Sequence, residues 1–474
     1  MQKKTPFYTL VAEKRGNLKN IKMKIRRISE FQSRIHFPNF DANYTKHIEG
    51  FKKTPLGQIS NAIPWRELVQ QFDIKVNNKG PECIFSPRGK LSLMFLKNYS
   101  GLSDKKLIEQ LNGNIYYQIF CDLLLEPGEH INNFKIVSQI RCELALQLNI
   151  ENCEKILMDS WKPFMSNLRS ITCDATCYES SIKYPTDVKL LFDAMKWIYG
   201  EIEQICKGQH IRKPRTKIKK WTGRAISFSK MKKKRKNKRR SLTRGLLRLL
   251  SKLIGIIEEL EISYGPRTLS NRRLVRLSTI KKILQQQGDK FYKGIRPKDA
   301  IVSIDKPHVR PIVRGKETKR VEFGAKLHKL QIDGISFIEH ISFNAFHEGN
   351  RLKKTIWKAQ KLTHKKVKIV GADAIYATNS NRTYVTKRSI KTDFKPKGRP
   401  GRHKEHKSQL SKMITKERAS RLEGSFGTDK EYFLLNKIKA RTKKTEILWI
   451  FIGIHTSNAL NIGRRMSNIA ALAA

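Results

Sequence analysis

The chain has 474 residues, of which 39% are apolar, enough for two or three domains with ordinary cores and too many for a disordered polycation. Its 97 Lys and Arg against 41 Asp and Glu leave a formal net charge of +56, far beyond what solubility requires. Such a charge calls for a polyanionic partner, and because it is spread over the whole chain, nucleic acid stands ahead of an anionic membrane surface. No apolar run reaches the roughly 18 residues that span a bilayer, and MQKKTPFYTL has no apolar signal-peptide core, so a reducing cytoplasm is expected. The seven cysteines then read as free thiols, and Cys173 and Cys177 lack the second Cys or His pair that a zinc site needs.

In chain order, residues 1–60 are basic and weakly patterned and read as an arm, with packed structure beginning near IPWRELVQQF. Residues 61–160 carry helical periodicity: LSLMFLKNY, the break SGLS, DKKLIEQL, NGN, then IYYQIFCDLLL. Short helices with polar turns suit a helix-turn-helix in which Ser103 caps the second helix and Asp104 occupies its first turn. A plain helical bundle has the same signature.

A β-prone run follows at about 170–184. It ends at YPTD, where Pro185 forbids a continuing central strand and Asp187 opens the helix KLLFDAMKWIYGEIEQI. Between Lys207 and Arg240 roughly half the residues are Lys or Arg and none is acidic, which favours phosphate contact without sequence readout. Leucines and isoleucines at helical spacing continue through two more stretches, so residues 186–298 read as a helical insertion. Strand character returns in AIVSIDKPHVRPIVRG and VEFGAKLHKLQIDGISFIEHISF, whose Asp-Gly suits a hairpin turn. The helix GNRLKKTIWKAQKL, the apolar strand VKIVGADAIY and C-terminal helices complete the series, with ILWIFIGI suited to a buried element.

Three acids sit in segments that otherwise read as core: Asp174 and Asp373 at the ends of strand-like runs, and Glu423 on a helix-prone stretch with Lys430 two turns later. A buried lone carboxylate costs several kcal/mol unless it is paired or binds a cation. Two Asp at neighbouring strand ends with a Glu from a packing helix form the oxygen set that Mg2+ or Mn2+ prefers. Two such ions can activate the attacking oxygen and stabilise the leaving oxygen of an in-line displacement at phosphorus. A local salt bridge is the plain alternative for each acid. Gly424 and Gly427 beside Glu423 cost helix stability and imply close approach of sheet or DNA backbone, or a helix end at Gly424. Tyr376 reads as core support for the sheet, and Asn379, Asn381 and Arg382 as the start of a helix whose N-terminus caps itself or holds phosphate.

The blocks DATCYESSIKYPTD, RPIVRGK, EFGAK, GADAIYATNSNR and RLEGSFGTDK resemble those of bacterial insertion-sequence transposases with a DDE domain, and FSPRGKLSLMFLKNYSGLSDKKLIEQL resembles the helical domain that precedes it. The resemblance covers residues 60–465. It implies an α/β fold: a ribonuclease-H-like mixed sheet with flanking helices over residues 161–465, interrupted by the helical insertion, preceded by an all-α DNA-binding domain and followed by a tail at 466–474. It further implies that Asp174, Asp373 and Glu423 are the catalytic triad holding two Mg2+ or Mn2+ ions, and that double-stranded element ends are cleaved and joined to target DNA. Lys430, Arg421, Arg418, Arg310, Arg314, Lys316 and Arg382 are the DNA contacts so implied, in a homodimer formed on DNA, in the bacterial cytoplasm at the nucleoid and away from the membrane. The chain departs from the family where Lys416 and Ala419 stand for the usual Tyr and Arg before the Glu, which keeps open a catalytically inactive, transposase-derived DNA-binding protein.

Overall fold

The structure, a computed structural model, describes residues 38–74, 83–125, 128–264, 270–313, 320–398 and 404–473. Arg314, Lys316 and the chain before residue 38 lie outside the described residues.

The order begins with helices α1 (Pro38–Lys52), α2 (Pro55–Ala62), α3 (Trp65–Gln71), α4 (Pro87–Ser100), α5 (Asp104–Gly113), α6 (Ile115–Phe120), α7 (Lys135–Gln147) and α8 (Ile150–Trp161). Packing starts earlier than the sequence suggests. Phe51, Leu56 and Ile59 are core residues, because Thr54 caps α2 at Gly57 and directs its apolar face inward. Between α4 and α5 the chain turns as expected: Gly101 takes the left-handed conformation, the Ser103 hydroxyl accepts from the Lys106 N–H, and Asp104 pairs with Lys97 and Arg141.

Strand β1 (Ser170–Ser180) leads into α9 (Asp187–Gly208), capped by Thr186. Then come α10 (Ile218–Lys230), α11 (Lys236–Tyr264) and α12 (Asn271–Gly288). Their apolar faces meet in a core of their own, including Leu191, Ile198, Leu246, Leu250, Ile257 and Ile280. Strand character at 300–313 survives only in β2 (Pro311–Val313). Ile301 and Ile304 instead close the insertion's core, and Pro307 has no N–H to give a ladder.

The remaining elements are β3 (Val321–Ile332), β4 (Ile335–Ser342), α13 (Leu352–Thr363), β5 (Ile369–Ala372), α14 (Asn379–Lys387), β6 (Lys391–Thr392) and α15 (Lys404–Glu417). A π-helical turn, Arg418–Glu423, joins α15 to α16 (Gly424–Tyr432), followed by β7 (Lys437–Ile438) and α17 (Lys443–Ala473). α16 ends at Tyr432, and Phe433 leaves the helical conformation. Gly424 does not end the helix, which runs through that residue.

The sheet is mixed, in the order β2-β3-β1-β5-β6, with β4 also beside β3 and β7 beside β1. β3 lies antiparallel to β1, β2 and β4, whereas β5 and β7 run parallel to β1 and β6 parallel to β5. The Asp333-Gly334 turn joins β3 to β4 with φ of 47° and 79°, both in the left-handed region that this pair tolerates. One continuous apolar core runs from Phe51 through the sheet to Ile462, and ILWIFIGI lies within it on α17. Buried Glu154 of α8 ties the early helices to that sheet: it accepts from the Ile338 N–H at 2.6 Å and pairs with Lys358 of α13.

Candidate active site

β1 and β5 pair in parallel with Cys173 opposite Ala372, so the next residue on each strand, Asp174 and Asp373, emerges at the same level from neighbouring strands. Asp373 ends β5, as expected from the sequence. Asp174 does not end β1; it lies inside the strand, where pairing with β5 stops and before pairing with β7 begins at Glu179. Each carboxylate accepts the next residue's N–H, Ala175 at 2.8 Å and Ala374 at 2.7 Å. Burial pushes the Asp174 carboxyl up to about 6, helped by the negative charges of Glu348 and Asp373 and opposed by the Ala175 N–H and by Arg418.

The turn that carries Asp373 is pinned from below. Tyr376 is fully buried, and its hydroxyl lies 2.7 Å from His328 Nε2, whose other ring nitrogen stands 3.0 Å from Glu339. Glu339 is held below its ordinary value: burial alone would raise it, but His328 and a forked contact from Arg351 outweigh that. Asn381, also buried, donates to the carbonyls of Gly349 and Tyr376, so it serves the turn and is not presented to phosphate. Arg382 donates to the Ala377 carbonyl, and Asn379 accepts from Lys397.

Glu423 is exposed at the end of the π-helical turn, where Arg418 Nη1 reaches it at 3.2 Å. Five residues apart in an α-helix, two side chains diverge by about 140°, while the wider i to i+5 turn brings them into line. Arg418 also stands 3.8 Å from Asp393, a nearly buried carboxylate that accepts the Ala372 N–H at 3.1 Å, next to Asp373. Burial pushes the Asp393 carboxyl up, with Asp373 adding to the shift and Arg418 opposing it. Asp393 and Arg418 thus link the end of β5 to Glu423. The helix before this turn comes close because β5 offers Gly371, where a Cβ would meet Ile414 at 2.8 Å.

Arg418, not the residues at the family's usual Tyr and Arg positions, is the cation turned inward, for Lys416 and Ala419 are exposed. Arg421 points elsewhere, to Asp333 of the hairpin turn and to Glu417. Arg310 is engaged by its own loop, donating to the carbonyls of Pro307 and Val309. Lys430 lies two turns beyond Glu423 on α16 and is half-buried. An added Cβ at Gly424 or Gly427 would meet nothing within 4 Å, so neither glycine is there to admit the sheet.

Sequence reasoning missed what seats α16. Lys329, directly opposite Asp174 on β3, is completely buried and donates to Asp429 of α16 and to the Ser425 hydroxyl. Asp429 also accepts from the Tyr178 hydroxyl at 2.6 Å. Burial drives the Lys329 ammonium down, and the charge of Asp429 holds it up. The signal for this pair was present only as a strand lysine amid apolar residues. Glu348, which begins a 3-10 turn, and Asp393, just past β6, are the other acids missed, in segments without periodicity.

Among the described residues no group of three His, Cys, Asp or Glu side chains stands close enough to hold a metal ion. In this arrangement Glu423 is turned to Arg418, apart from the Asp pair.

Two family models match the chain: "Transposase DDE domain" over residues 370–456, which takes in Asp373, Glu423 and Lys430, and "Transposase domain (DUF772)" over residues 43–142, which spans α1 to α7 in part. Asp174 lies between the two matches. No curated protein and no solved structure gives a significant match. No helix among the described residues is long and apolar enough to cross a membrane.

Proposed function

We propose, from the matches to a transposase DDE domain and to a transposase domain (DUF772), that the chain is an insertion-sequence transposase that cleaves double-stranded element ends and transfers them into target DNA by metal-dependent phosphoryl transfer. The observation that carries the reading is the pairing of Asp174 and Asp373 on neighbouring parallel strands at one level, with Glu423 tethered to the adjoining strand end through Arg418 and Asp393. Three antiparallel strands followed by parallel β5 and β6 beside β1 support a ribonuclease-H-like sheet, and the early helices a DNA-binding unit.

The residues fit divalent cations, which transposases with this domain generally use. An Asp pushed up to about 6 beside a second Asp is a carboxylate short of positive charge, and Arg418 supplies a cation to the third acid. Asp174 and Asp373 would hold Mg2+ or Mn2+, two ions in all, with Glu423 joining when Arg418 releases it. Such ions activate an attacking hydroxyl and stabilise the leaving oxygen at phosphorus. The protein's own part is positional: the Tyr376–His328–Glu339 chain fixes Asp373, the Lys329–Asp429 pair seats α16, and Lys430 contacts phosphate near the cleaved end. The open faces of Gly424 and Gly427 leave room for the DNA backbone.

Asp174→Asn, Asp373→Asn and Glu423→Gln are each expected to abolish cleavage of element-end DNA in magnesium while leaving DNA binding nearly intact. Cleavage retained by any one of them sinks the triad. Binding by the wild type with no nicking in magnesium or manganese would instead favour a catalytically inactive DNA-binding protein, the reading that Lys416 and Ala419 keep open. A homodimer on DNA is tested by counting protomers in the end complex.

A further inference from the structure

The helical insertion holds a cavity of about 650 Å3 between the start of α10 and one side of α11. Its cations are Arg215, Lys217, Arg244, Arg248 and Lys252, and its aromatic wall is Trp221. Arg244, Arg248 and Lys252 recur every fourth residue on α11, a row of charges about 6 Å apart along the axis. Like charges at that spacing destabilise a helix unless something neutralises them. The chain supplies nothing nearby in sequence: no Asp or Glu occurs between Glu203 and Glu258, and none of the five cations pairs with a carboxylate among the described residues. All five are exposed.

Trp221 is placed there by design of the packing. Gly245 sits beneath it, and a Cβ at that position would fall 1.8 Å from the indole edge, so a side chain there would expel the ring. The indole is half-buried, with the Arg224 guanidinium 5.0 Å from its centroid. An aromatic plane fixed within a cationic cavity matches one ligand chemistry: a strand whose phosphates meet the cations and whose unpaired base stacks on the ring.

We propose that this cavity is a second nucleic-acid site, separate from the carboxylates, which grips a DNA strand through Arg244, Arg248 and Lys252 and stacks an unpaired base on Trp221. The proposal rests on the reading of DNA as substrate but not on the metal site.

The test uses the full chain, with fluorescent oligothymidylate and a blunt duplex of equal length titrated over a salt series. Each phosphate contact on a single strand adds about 0.7 to the magnitude of the slope of log K against log salt, so the double variant Arg244→Ala/Arg248→Ala, which loses two, should have a slope lower in magnitude by about 1.4. Trp221→Ala should weaken oligothymidylate about tenfold, Trp221→Phe should retain most of the affinity, and neither should move duplex binding. A salt slope unchanged in the double variant overturns the site, and equal losses on duplex and single strand with Trp221→Ala overturn the stacking. Because Arg244 and Arg248 are surface residues, the double variant stays informative if Trp221→Ala fails to fold. Asp174→Asn separates the two readings. If it still cleaves, the triad fails while a lowered slope keeps this cavity, and a wild type that binds neither DNA defeats the transposase reading itself.

Discussion

The sheet-bearing body and the helical insertion solve the same problem of burial by different means. In the body a single core runs through sheet and helices and is crossed by buried ions: Glu154 with Lys358, Lys329 with Asp429, and Lys306 with Glu446, whose carboxylate also accepts from the Ser180 hydroxyl at 2.7 Å. In the insertion the core is a leucine and isoleucine seam, and apart from buried Glu201, which is met at 3.2 Å by the partly exposed Arg273, charge is kept outside, in pairs such as Lys281–Glu258 and Lys282–Asp299. Buried ions fix geometry through specific partners, whereas an apolar seam tolerates repacking. The first arrangement surrounds the carboxylates, which have to be held in place. The second presents cations to a ligand, which needs only a scaffold.

The contrast breaks first at Lys329. Lys329→Met strands Asp429 without its cation in the interior, and about 3–5 kcal/mol of stability should be lost, with α16 unseated. Denaturant unfolding measures it, and Lys329→Met with Asp429→Leu should recover much of the loss. No recovery would mean that α16 is held by other contacts. In the insertion the comparable injury is a cavity: Leu250→Ala should cost about 2–5 kcal/mol, yet leave the body intact. Limited proteolysis should then cut within 209–298 before it cuts the body. Simultaneous loss of both would deny the insertion its separate core.

The same contrast explains what could be read from the sequence. Three of the insertion's four helices were legible, because burial there follows a 3.6-residue period that leucines report directly, whereas α10, inside the basic 207–240 run, was not. Ser103, the helix start at Asp187 and the Asp333-Gly334 turn were legible through local chemistry. In the candidate site Asp174, Asp373 and Glu423 stood out as acids in apolar settings, and the parallel register then placed two of them together. What the sequence could not reveal were partners distant along the chain. Lys329 and Asp429 are a hundred residues apart, and only the antiparallel register of β3 on β1 brings the lysine beside Asp174. The π-helical turn is equally invisible, since nothing in KERASRLEG announces the residue that aligns Arg418 with Glu423.

Asp174 offers a smaller test, with a definite sign. Its folded value of about 6 lies above the ordinary 3.8, so the native state keeps its proton longer than the unfolded chain does. Stability is therefore lost as pH rises between those values, and above about pH 6 ionised Asp174 costs on the order of 3 kcal/mol. Asp174→Asn should melt higher than the wild type at pH 8 and lose that advantage near pH 4. Magnesium should stabilise the wild type, not the variant, at the higher pH. A wild type that is the more stable at pH 8 without magnesium would falsify the buried-charge account.

The smallest effect sharpens the comparison from the other side. Lys282 and Asp299 make a 2.5 Å contact on the insertion, as short as many buried pairs, but both side chains are about half exposed. Water screens the attraction, and holding two flexible side chains together costs entropy, so Lys282→Ala should leave the denaturant-unfolding midpoint nearly where the wild type has it. The insertion's fold would then be seen to rest on its apolar seam. A loss as large as that from Lys329→Met would place a structural ion pair in the insertion too, and the division between an ion-tied body and a hydrophobic insertion would have to be given up.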